Sequence, residues 1–171
     1  MGRKKKNTNK LRNTKENTAQ VEAGGALKFL CLFSTIGFVI SMLVDAGNYV
    51  SFSSIEELKK AVDQTQYEIL ETKIDLWQGI GIDTSIHGLK KVANMYAIRA
   101  LIDVFAMLGV TLMFYKTKLG FIIYTISQFI YIAIPLFFFG SYAFFIVPYT
   151  SAIINLIYVA LFASQYKYLT R

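Results

Sequence analysis

Long apolar runs broken by short polar interruptions set the rhythm of this chain. The first occupies residues 27–48, apolar as far as Val44 and closed by Asp45, Ala46, Gly47 and Asn48. At 1.5 Å per helical residue its apolar part reaches about 27 Å, close to the thickness of a bilayer's hydrocarbon core. Three more runs follow, at residues 95–115, 119–139 and 144–166. Only Lys116-Thr117-Lys118 separates the second from the third, and only Gly140-Ser141-Tyr142 the third from the fourth. Links this short make neighbouring helices antiparallel, so the last three runs predict an up-down-up unit. Pro135 falls inside the third run and predicts a kink. Pro148 falls near the start of the fourth, where a missing N–H matters less.

Two polar stretches punctuate this pattern. Residues 1–24 are basic and rich in Asn and Thr, and read as a flexible tail. Residues 51–93 form the one sizeable polar loop. Within it Ser53 and Ser54 stand three residues before Glu56 and Glu57, the spacing of a capping box. Ile55, Leu58, Val62, Ile69 and Leu76 then recur at helical steps with charges between them, which predicts an amphipathic helix over about residues 54–75. The pattern ends near Trp77 at Gly79-Ile80-Gly81, and a second helical start at residues 86–91 leads into the next run. The fold expected is all-α: a four-helix transmembrane bundle over residues 25–171, preceded by the tail and carrying an outer amphipathic helix between spans one and two.

Composition agrees with a bilayer environment. Of 171 residues 54% are apolar and 17% charged, and 14 Phe and 11 Tyr would leave a water-soluble protein with large sticky patches. Charge then orients the bundle. Much of the net +7 comes from Arg3, Lys4, Lys5, Lys6, Lys10, Arg12 and Lys15 in the tail. Lys116, Lys118, Lys167 and Arg171 fall on the same side of the predicted topology. The 51–93 loop holds five lysines outweighed by acids. Basic residues concentrate on the cytoplasmic side, so both termini are expected there, with the loop outside. A cleavable leader competes for the first run, since Val44 and Ala46 resemble a cleavage site. The run is long for that purpose and Asp45 sits beside the cut, so it is read as an anchor. A myristoylation signal is absent, because Lys6 stands where Ser or Thr is needed.

Chemistry has few places to reside. With one cysteine, Cys31, and one histidine, His87, neither an intrachain disulfide nor a multi-ligand Cys/His metal, haem or iron–sulfur centre can be assembled, and no cofactor is expected. No phosphate-binding glycine loop, dinucleotide fingerprint, nucleophile elbow or HExxH is present. His87 reads as a surface residue at a helix start and Cys31 as a small packing residue. Trp77, Tyr49, Tyr96, Tyr115, Tyr142 and Tyr166 fit interfacial anchoring. Lys28 can snorkel from the end of the first span. Asp45, Arg99 and Asp103 are expected near the outer end of spans one and two, and Arg99 and Asp103 share a helix face at i,i+4. Lone charges in hydrocarbon are costly, so these three are expected to cluster. As a proton relay the cluster is poor, because arginine does not give up its proton; as a clamp between helices it is sound. Gln128 and Asn155, mid-span on the third and fourth runs, suit interhelical hydrogen bonds better than a solute path.

The stretch FAMLGVTLMFYKTKLGFIIYTISQFIYIAIPLFF, with a last span ending FASQYKYL, resembles a family of small four-span inner-membrane proteins of Bacteroidota-type bacteria. The shared features are a Leu-Gly in span two, the Lys116, Lys118, Gly120, Phe121 turn, a mid-span Gln and a late Pro, all within residues 100–171. The resemblance implies topology and location, and no activity. The long first and short second outer loops are also similar to claudins, whose paired cysteines and Gly-Leu-Trp signature are missing here.

These readings lead first to a non-enzymatic accessory or scaffolding subunit of a larger inner-membrane complex. Its partners would be the bilayer, other membrane subunits and, for the tail, anionic lipid or an acidic partner such as RNA. Second comes a small transporter or channel subunit that uses Asp45, Arg99, Asp103, Gln128 and Asn155 as a path, and third a membrane-embedded enzyme.

Overall fold

Three of the apolar runs fold as helices long and apolar enough to cross a membrane: Gly25–Ser53, Ile86–Phe114 and Lys118–Tyr142. The computed structural model describes residues 3–55, 64–143 and 149–170, and among these every regular element is helical. In chain order they are α1 (Arg3–Ser53), α2 (Gln64–Gly79), α3 (Ile86–Phe114), α4 (Lys118–Phe139) and α5 (Tyr149–Gln165), with 3₁₀ turns at Gly140–Tyr142 and Tyr166–Tyr168. The fourth expected span corresponds to α5, whose described helix has 17 residues; residues 144–148, Pro148 included, lie outside the described ones.

The helices depart from the sequence expectation at their ends. The tail expected to be flexible is the N-terminal part of α1, a single helix of 51 residues, about 77 Å long. From Arg3 to Ala23 there is no Gly or Pro. The Lys, Arg, Glu, Gln and Ala residues extend a helix that is already nucleated, so no second nucleation cost arises. At its other end α1 continues through Asp45 to Asn48, where a stop was expected. Phe52, only 1% exposed, rests between Trp77 and Tyr96, with ring centroids 4.8 and 6.0 Å away, so packing outweighs the local breakers. The Ser53 hydroxyl is engaged with the Val50 carbonyl inside α1, and so is not free to cap a new helix. The outer helix is described from residue 64 onward, as α2; residues 56–63 lie outside the described ones. Of the side chains expected on its inner face Ile55 is buried beside Phe52 and Trp77 and Ile69 is exposed; Ile74 and Trp77 also turn inward, and Leu76 is exposed. Leu58 and Val62 lie outside the described residues. The short start at residues 86–91 is simply the first part of α3. Ser85 caps it by accepting from the Gly88 N–H, and the exposed Lys90 and Lys91 do not interrupt it.

Three inward seams organise the bundle. On α1 the residues facing in are Leu27, Cys31, Ser34, Phe38, Ser41 and Asp45; on α3 they are Tyr96, Arg99, Asp103, Ala106, Val110 and Met113; on α4 they are Gly120, Tyr124, Ser127, Tyr131 and Ile134. Steps of four and three alternate along each. That 3.5-residue period keeps one stripe facing a partner along the whole length of a helix, as in left-handed supercoiled packing. α3 packs along both α1 and α4, while α5 rests more lightly on α4 and α1. The α3–α4 hairpin is closest where Gly109 faces Gly120. A Cβ on Gly109 would lie 2.7 Å from the Tyr124 nitrogen, and one on Gly120 2.6 Å from the Gly109 carbonyl oxygen. Only backbone against backbone fits there. The turn that follows places Lys116 at φ 61°, and the Thr170 N–H donates to its carbonyl at 2.8 Å, bringing the C-terminal segment against the α3–α4 turn.

Candidate functional site

Halfway along the bundle the seams turn polar. Because α3 begins at Ile86, Arg99 sits roughly three and a half turns from its N-terminal end. The Arg99 Nε is 3.2 Å from Asp45 Oδ2, with side chains 10% and 3% exposed. That N–H is not aimed along the contact, so the attraction there is ionic rather than a directed hydrogen bond. The directed bond goes to α4, where Arg99 Nη2 donates to the Tyr131 hydroxyl. Tyr131 in turn donates toward Asp45 Oδ2 at 3.5 Å and lies 3.2 Å from the Ser41 hydroxyl. The guanidinium carbon is 4.3 Å from the Tyr131 ring centroid and 5.6 Å from that of Tyr96, so two rings add cation–π attraction. One cation thus ties α1, α3 and α4 together.

Asp103 stands apart from this knot. It is 1% exposed, forms no salt bridge with Arg99 among the described residues, and leaves its Oδ2 without a hydrogen-bond partner. It lines a cavity of about 300 Å³ between α1, α3, α4 and α5. Polar groups reach the same cavity from Ser34 and Ser41 on α1, Tyr124 and Tyr131 on α4, and Ser151 and Asn155 on α5. The sequence placed Asn155 as an interhelical bonding residue; it lines the cavity instead. Gln128 is 2% exposed on α4 with its Oε1 unpartnered, and is not among the lining residues.

Other sequence candidates are dispersed. Cys31 packs in the core near Tyr124 and Phe162, and His87 is an exposed residue of the first turn of α3. Arg3, Lys4, Lys5, Lys6, Lys10, Arg12 and Lys15 belong to the N-terminal part of α1. Trp77 and Tyr96, expected at the membrane interface, are 8% exposed and packed inward. Ser41, Tyr96 and Tyr131 were not singled out from sequence as members of the charged cluster. The signal that identifies them is spacing: Ser34, Ser41 and Asp45, and likewise Tyr124, Ser127 and Tyr131, fall on one stripe of an otherwise apolar helix.

Chemically the two halves differ. Arg99 with Asp45 holds charge without exchanging it, since a guanidinium keeps its proton. Asp103 presents a carboxylate oxygen with capacity to spare beside open space. Compared with known proteins, the chain matches no family model, no curated protein and no solved structure.

Proposed function

We propose that this multi-pass membrane protein is a small transporter or channel component whose helical bundle holds a solute in the cavity beside Asp103. One observation carries the reading: a buried carboxylate with an unpartnered oxygen opens onto a polar space within membrane-crossing helices. An ionisable group there is costly and calls for a role, and the Asp45–Arg99 pair leaves Asp103 without one in the clamp. The fold in the membrane is a four-span bundle with α5 as the last span. Both termini are cytoplasmic in a bacterial inner membrane, following the basic residues of α1, the α3–α4 turn and the C-terminus. A melting screen of the purified protein against inorganic ions, amines, amino acids and sugars tests this. A solute that raises the melting temperature of the wild type but not of Asp103→Asn supports it, and the absence of any such solute overturns it.

A second reading, a non-enzymatic accessory or scaffolding subunit, draws on the length of α1 and on the exposed Ile69 and Leu76 of α2. A helix of about 77 Å runs far beyond a core of about 30 Å, leaving a basic arm suited to anionic lipid or an acidic partner, RNA included. Purification in mild detergent separates the readings: stoichiometric co-purification with one complex favours the subunit, and a homo-oligomer alone favours the solute site.

A further inference from the structure

Charge balance inside the bundle narrows what the cavity holds. Asp45 and Arg99 cancel at 3.2 Å, and Lys28, near the start of the apolar part of α1, is exposed. Asp103 is therefore a second buried acid with no buried base of its own among the described residues. An ionised carboxylate in that position is stabilised by a positive charge brought to it, which none of the described side chains supplies.

The shape of the space says which kind. At about 300 Å³ it holds the equivalent of roughly ten waters at about 30 Å³ each, and falls in the range of small-molecule sites. A bare metal ion needs oxygens converging at about 2–2.6 Å, and a divalent one usually several carboxylates. Among the described residues no three of His, Cys, Asp or Glu approach one another closely enough for that. Apart from Gly37 and Ile154 the remaining walls are aromatic: Phe33 and Phe38 on α1, Tyr124 and Tyr131 on α4, and Tyr158 on α5. Aromatic rings and one carboxylate attract the same class of ligand, a cation with an apolar surface. The neutral oxygens of Ser34, Ser151 and Asn155 supply acceptors for its N–H or hydroxyl groups.

We infer that the cavity binds a small organic ammonium ion, its charge matched to Asp103 and its carbon atoms held by the surrounding rings. The inference rests on the solute-binding reading and specifies its ligand class. The full chain in lipid nanodiscs, titrated calorimetrically with choline, tetramethylammonium and propylammonium chlorides, tests it, with sodium chloride and glycerol as comparisons. Saturable binding of at least one ammonium salt is expected, with affinity falling at least tenfold in Asp103→Asn and severalfold in Tyr158→Leu. The Tyr158 change is independent of the carboxylate and lies at a half-buried position, so it covers the case in which Asp103→Asn does not fold. Ammonium binding unchanged in both variants overturns the inference, as does sodium binding that excludes the ammonium ions. Binding of glycerol but of no ammonium ion overturns the ligand class and leaves the solute site standing. Binding of no solute at all overturns both.

Discussion

Arg99 makes one guanidinium serve three helices, and removing it strands what it serves. Arg99→Ala leaves Asp45 buried without a counter-charge and frees the Tyr131 hydroxyl from its donor. Breaking one side of a buried pair costs about 3–5 kcal/mol, so the variant is expected to melt well below the wild type in detergent. Asp45→Asn with Arg99→Gln and Asp103→Asn removes every charge of the group and keeps polar partners, and should recover much of that loss. If Arg99→Ala melts like the wild type, the clamp contributes nothing. The pairing of Asp45 with Arg99 is anticipated by the cost of isolated charges alone. The separation of Asp103 from it is not. At i,i+4 both geometries satisfy the helix, and the choice depends on Tyr131 arriving from α4 to occupy the guanidinium.

At the scale of elements, close approach and capping decide. The α3–α4 hairpin meets backbone to backbone at Gly109 and Gly120. Gly120→Ala forces a methyl to within 2.6 Å of the Gly109 oxygen and the Met113 nitrogen, so the helices must part. Overpacking of this kind costs about 1–3 kcal/mol, and thermal melting of the single variant checks it. No change would show that the hairpin can relax. At the start of α3, the Asp83 carboxylate accepts from the Ser85 N–H at 2.9 Å, and this together with the Ser85 hydroxyl lowers its pKa below the usual aspartate value. A carboxyl lowered on folding stabilises the folded state above its unfolded pKa, about 3.9, and that contribution is lost as pH falls through the lower folded value. NMR titration should find Asp83 titrating below that value with the Ser85 amide resonance following it; titration at or above it rejects the cap. The outer helix follows its periodicity only in part. The 54–75 pattern places Ile55 inward, where it is buried, but also Ile69, which is exposed; Ile74 and Trp77 turn inward, Trp77 against Phe52 of the prolonged α1.

For the whole molecule, the testable quantity is topology. Single cysteines introduced in a Cys31→Ser background should be labelled from outside intact cells at residues 64 and 83, and never at residues 10 or 117. Labelling of residue 117 from outside ends the four-span arrangement. The seam of α1 against α3 and of α3 against α4 keeps these helices in register, while α5, packed more lightly, lines the cavity on its remaining side.

Helix content and the three membrane-length helices were legible from hydropathy alone, because a buried backbone without water must satisfy itself within a helix, and apolar length states how far it runs. Helix ends were not legible at 48 and 95, where Phe52 buried against Trp77 and Tyr96, and the Ser85 cap, override weak local breakers. The charges that would be costly in a bilayer could be named in sequence order. Which of them pair, and which is left facing open space, required three seams to meet in three dimensions. Tyr131 lies 86 residues from Asp45, and nothing local to either residue records the other.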